Sequence, residues 1–165
     1  MRDLAQNWPR IPDWTGTAYE GRSIHATSVA GLTQYLVSGN LAPFGDSIGG
    51  LGIARGERSA IRVARDRILA INADPALVAR GWHEEGFAVT DVSAMYHVFE
   101  ISGAGVPALL REGLLIDPDN AGPSAAVMFA GLHAILYCVE SRDRLRLHVE
   151  RGHAAYVVNW LEARD

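Results

Sequence analysis

Apolar and polar positions change period several times along this chain, and each change marks an element. Residues 60–64 (Ala-Ile-Arg-Val-Ala) alternate at period two, Arg65-Asp66 interrupts, and Arg67-Ile68-Leu69-Ala70-Ile71 resumes the run. That spacing predicts a β-hairpin. Asp74-Pro75 follows, an N-cap residue with proline at the first helical position. Leu77, Val78, Gly81 and Trp82 then fall on one face, which predicts a helix. Residues 87–90 and 96–101 read as strands that pair or lie side by side. A small-residue turn, Gly103-Ala104-Gly105, leads into a helix opened by Pro107, with Val106, Leu109 and Leu110 toward the core.

Residues 125–130 and 134–139 are continuously apolar around Gly131, so both faces of each strand are expected to be covered. Leu145, Leu147 and Val149 alternate with Arg146, His148 and Glu150, which predicts an antiparallel strand with one wet face. Ala154, Val157, Val158 and Leu161 recur at helical spacing in a closing helix from about Gly152. Residues 21–39 are ambiguous, and the glycine-rich 45–52 reads as a flexible loop. The order of elements predicts an α+β fold of antiparallel sheets with packed helices and ferredoxin-like split βαβ units. Residues 1–20, with Trp8, Pro9, Pro12 and Trp14, read as an extended arm that packs on its own domain or inserts into a partner. A single α+β domain is expected over 21–165.

Composition narrows the function. The chain has 165 residues, 48% hydrophobic and 21% charged, enough for one globular core. Its formal net charge of −4 disfavours a nucleic-acid surface, and all 15 basic residues are arginine. Arg55, Arg58, Arg62, Arg65 and Arg67 fit a solvated hairpin face, with interface use as the alternative. The absence of an apolar N-terminal region and of a spanning run points to a cytoplasmic protein without a membrane segment. The lone Cys138 excludes an internal disulfide and a multi-cysteine zinc site, and reads as a small buried hydrophobe.

Candidate chemistry is sparse. Gly45-Asp46-Ser47-Ile48-Gly49 matches a nucleophile elbow and the Gly-Asp-Ser opening of a serine esterase family. Pro43 argues against the strand it needs, and only Glu150-Arg151-Gly152-His153 offers a distant acid–histidine pair. Gly50-Leu51-Gly52 lacks the dinucleotide spacing, and a lysine-free chain has no phosphate-loop lysine. His25, His83, His97, His133, His148 and His153 form no zinc signature. His97 and His133 read as core histidines and His148 as a solvated one. Asp91 and Ser93 either orient a ligand or hold a local turn. No catalytic, cofactor-binding or metal-binding residue is assigned.

Several segments, in order, are similar to one family. Arg65-Asp66-Arg67-Ile68-Leu69, Asp91-Val92-Ser93, Ile101-Ser102-Gly103-Ala104-Gly105 with Leu109-Leu110-Arg111-Glu112-Gly113, Ile116-Asp117-Pro118, and Glu150-Arg151-Gly152-His153-Ala154-Ala155-Tyr156 with Trp160-Leu161 carry the likeness. Over roughly residues 58–165 the chain resembles the gamma subunit of heterotetrameric sarcosine oxidase, and more distantly the folate-binding fold of the glycine-cleavage aminomethyltransferase. Ala104 stands where that family has proline. The resemblance implies a non-catalytic structural subunit, bound to larger flavin-containing chains, of an oxidase or dehydrogenase acting on sarcosine or a related N-methyl amine. It implies no cofactor in this chain. FAD, FMN, NAD and zinc would belong to partner subunits, with tetrahydrofolate as co-substrate. Two other functions remain open: a free-standing folate-type module using Asp91, Ser93 and Tyr96, and a hydrolase using Ser47.

Overall fold

Two stacked antiparallel sheets and two helices make up the computed structural model, which describes residues 15–164. The strands are β1 (Gly16–Glu20), β2 (His25–Ser28), β3 (Gln34–Gly39), β4 (Ile53–Ala54), β5 (Ser59–Ala64), β6 (Arg67–Ile71), β7 (Gly81–His83), β8 (Phe87–Asp91), β9 (Tyr96–Ser102), β10 (Ala126–Phe129), β11 (Leu132–Val139) and β12 (Ser141–Glu150). The helices are α1 (Val106–Gly113) and α2 (Ala154–Glu162). The larger sheet runs β1-β2-β9-β12-β11-β10, with the short β4 parallel to the end of β11. The smaller sheet runs β5-β6-β3-β8-β7. The fold class is α+β, as the element order predicts.

Strand alternation builds the layers. On one face of the larger sheet, Phe99, Ile101, Leu136, Leu145 and Leu147 pack against Val106 and Leu109 of α1 and Val157 and Leu161 of α2. On its other face, Ile135, Tyr137 and Val139 of β11 meet Ile61, Leu69 and Ile71 of the smaller sheet. Beyond that sheet, Val37, Ile68, Phe87 and Val89 pack with Val78 and with the half-buried Leu41 and Phe44. Strands β9 and β11 are both antiparallel to β12, which lies between them, so β9 and β11 run parallel, with α1 and β10 between them in the chain.

The turn from β9 into α1 explains two glycines. Gly103 has φ +124°, and a Cβ there would collide with the Ser23 carbonyl oxygen. Gly105 N–H donates to that same oxygen at 2.9 Å, so the β1–β2 turn sits directly on the strand–helix junction.

Several expectations are corrected. No helix follows Asp74-Pro75. Asp74 Oδ1 accepts from Ala76 N–H at 3.0 Å and closes a single turn. Gly81, at φ +112°, then directs the chain into β7. A residue in that conformation cannot sit inside a helix, and pairing with β8 claims Trp82, which is 73% exposed. Strands β8 and β9 do not pair: the chain crosses from one sheet to the other between them. Strand β10 is an edge strand with Ala126 exposed, not covered on both faces. The loop at 45–52 is packed rather than flexible: a Cβ on Gly49 or Gly50 would strike the backbone of Pro123 or Ser124. The ambiguous residues 21–39 form β2 and β3, and the hairpin of β5 and β6 is present. Of the expected arm, residues 1–14 lie outside the described residues, while Gly16–Glu20 is β1, paired with β2. No helix among the described residues is long and apolar enough to cross a membrane.

Candidate functional site

The Asp91–Ser93 candidate sits where the chain changes sheets. Asp91 ends β8, and its Oδ1 accepts from Ser93 N–H at 3.0 Å while Oδ2 accepts from Arg80 at 2.5 Å. The Ser93 bonds, then Arg80, hold the Asp91 carboxyl below its usual range. Ser93 Oγ accepts from Gln34 N–H at 2.9 Å and donates to Gln34 O at 3.3 Å. Ser93 therefore ties the crossover to β3, while the Asp91 side chain holds the turn and Arg80. They line a shallow depression with Arg80, Thr90 and Ala94, whereas Tyr96 lines a different groove. The three residues of the folate-type reading are not gathered around one cavity.

Ser47 is likewise occupied: its Oγ accepts from Arg62 Nε at 2.7 Å. A single 3₁₀ turn (Ala42–Phe44) precedes it, and no helix follows before β4. The strand–turn–helix of a nucleophile elbow is absent here. Arg62 also donates to Arg65 O at 2.9 Å, so this member of the arginine group serves the hairpin itself.

The histidines rearrange most. His148, expected in water, is fully buried between the sheets. Its Nδ1–H donates to Gln34 Oε1 at 2.8 Å, and its Nε2 accepts from Tyr137 O–H at 3.1 Å. Burial, reinforced by Arg146, pushes its pKa down to about 3, so the ring is neutral. Burial pushes the Tyr137 hydroxyl up to about 12. His97, also fully buried, bonds Ser28 Oγ at 2.9 Å, and burial with the nearby Arg151 lowers it to about 4. His133 is exposed on β11 rather than in the core. Among the described residues, no three His, Cys, Asp or Glu side chains converge as a metal site. Cys138 is buried, as its apolar neighbours imply.

Gln34, His148 and Tyr137 thus form a polar plug through an otherwise apolar layer. Gln34→Leu leaves the His148 Nδ1–H without its acceptor, and the expected loss of stability is about 1–3 kcal/mol. Tyr137→Phe leaves the buried His148 Nε2 without its donor and should cost about 1–3 kcal/mol for the same reason. Urea unfolding of both variants checks this, and losses near zero would mean that the ring is not held by these two bonds.

The plug separates two mouths of the inter-sheet layer. One is a groove of about 480 Å³ with Leu36 and Val127 on its walls and Arg67, Tyr96, His133 and Glu150 among its polar lining. The other, about 410 Å³, is lined by Tyr137 and Arg146 beside β4. Arg146 and Glu100 face each other across the β9–β12 pair at 2.7 Å. Their alternation along β9 and β12 is visible in the sequence, but it reads equally well as a solvated face.

No protein-family model matches the chain, and no curated protein sequence matches it. A solved chain of heterotetrameric sarcosine oxidase from Corynebacterium sp. U-96, in complex with pyrrole 2-carboxylate, does share its fold. The TM-score is 0.60 at 19% identity, over 88% of this chain and 85% of that one. At that identity the likeness carries the architecture: this chain has the α+β fold of a subunit found in a heterotetrameric oxidase.

Proposed function

We propose that this protein is a non-catalytic, gamma-type subunit of a heteromeric, flavin-dependent oxidase or dehydrogenase acting on sarcosine or a related N-methyl amine. The observation that carries this reading is the fold shared, nearly end to end, with a chain of the heterotetrameric oxidase. The polar candidates of the sequence support it in another way. Asp91, Ser93 and Ser47 are each committed to holding backbone or a neighbouring arginine. FAD, FMN, NAD and zinc would reside in the larger partner chains, with tetrahydrofolate as co-substrate there.

Trp82 on the edge strand β7 is the bulkiest exposed apolar side chain among the described residues and a candidate contact. The Trp8–Trp14 arm, a second candidate, lies outside them. Co-expression of the tagged chain with its genomic neighbours tests the reading. A yellow flavoprotein should co-elute in fixed ratio, and Trp82→Asp should weaken that association if β7 docks. Elution of the chain alone, with no flavoprotein retained, would refute the subunit role.

A further inference from the structure

The groove of about 480 Å³ between Leu36 and Val127 joins an apolar wall to a polar rim. Its size lies within the roughly 300–1,000 Å³ of typical small-molecule sites. Leu36, Val63 and Met128 line it and are only half-buried, so apolar surface faces water there. The rim is a row across the larger sheet. Tyr96 of β9 stands opposite Glu150 of β12. One residue beyond the Ala134–Val149 pair, His133 of β11 flanks Glu150 on its other side. Cross-strand neighbours of this kind lie about 5 Å apart. The Tyr96 ring is fixed by an edge contact with His148, 6.1 Å between centroids, yet its hydroxyl bonds no group among the described residues. Burial, then Glu150, pushes that hydroxyl above its usual range, which keeps it protonated and puts the two groups within electrostatic reach. Glu150 and His133 are exposed to the groove and make no hydrogen bond or ion pair among the described residues.

We propose that this groove binds a small primary ammonium ion with an apolar body. The ammonium donates to the Glu150 carboxylate and the Tyr96 hydroxyl oxygen, beside a tyrosine ring whose face favours a cation. The body covers Leu36, Val63 and Met128 and removes their apolar surface from water. Arg67 also lines the groove, but it starts β6 on the facing sheet. Stacked sheets lie about 10 Å apart, a distance over which its repulsion is largely screened at physiological salt. Its cross-strand neighbours, Ser38 and Ala64, add neither a charge nor a ring. A carboxylate placed at the Tyr96 rim would face Glu150 directly. The site rests on the groove alone and is independent of the subunit reading.

Titration of the full chain, labelled with ¹³C-methyl methionine, with 2-phenylethylamine reads the groove through the Met128 methyl group. A saturable shift with a Kd of about 1 mM or tighter is expected. Glu150→Gln changes an exposed position, keeps the reporting methyl, and should weaken binding about fivefold, the upper range for an exposed ion pair. The anion of matching size, 3-phenylpropionate, should bind at least about tenfold more weakly than the amine. Absence of a saturable shift, equal binding of amine and carboxylate, or an unchanged Kd in Glu150→Gln overturns the proposal.

Discussion

Acidifying this protein from about pH 7.5 to about pH 5 should cost about 4 kcal/mol of folding stability. His148 and His97 are fully buried and neutral, with pKa values held down to about 3 and about 4. Unfolded, each takes up a proton near its ordinary 6.5. Between that value and the depressed native one, the unfolded state binds more protons, so stability falls as pH falls. The slope is about 1.4 kcal/mol per pH unit for each histidine. Two histidines over about one and a half units give the stated loss. Asp91 and Glu100 are also depressed. Ser93 chiefly lowers Asp91, while for Glu100 the Arg144 and Arg146 bonds outweigh burial, which acts the other way. Their loss of stability sets in around their ordinary values of 4.5 for Glu100 and 3.8 for Asp91, at and below the acid end of the histidine window. Urea midpoints across that window measure the slope, and His148→Gln should remove about half of it. A flat profile would mean that neither imidazole is held neutral.

The second large effect lies at the strand–helix junction. Gly103→Ala should destabilise by about 3 kcal/mol or more, combining an unfavourable positive φ with a backbone collision at Ser23 O. Gly31 is the comparison: its φ of +79° is also left-handed, yet nothing lies within 4 Å of an added Cβ. Gly31→Ala should therefore cost only the strain, about 1–2 kcal/mol. Thermal unfolding of the two variants separates the contributions. Similar losses would show that the β1–β2 turn yields freely and does not brace the start of α1.

Much of the fold was legible because its signals are local. The Arg65-Asp66 hairpin, the Gly103-Ala104-Gly105 turn and both helices α1 and α2 announce themselves in consecutive residues. The expected helix after Asp74 failed because an N-cap signal specifies only the first turn, and Gly81 with its partner strand decided the rest. The candidate site was far less legible. Gln34 and His148 stand 114 residues apart, and no spacing rule links them.

What the sequence determined alone was the α+β class and the alternation along β12. Only the tertiary structure decided what the second face of β12 meets. Period two separates the faces of a strand but says nothing about what covers either one. Here a second sheet covers it, turning His148 into a buried neutral hydrogen-bonding group and Arg146 into the polar wall of a cleft.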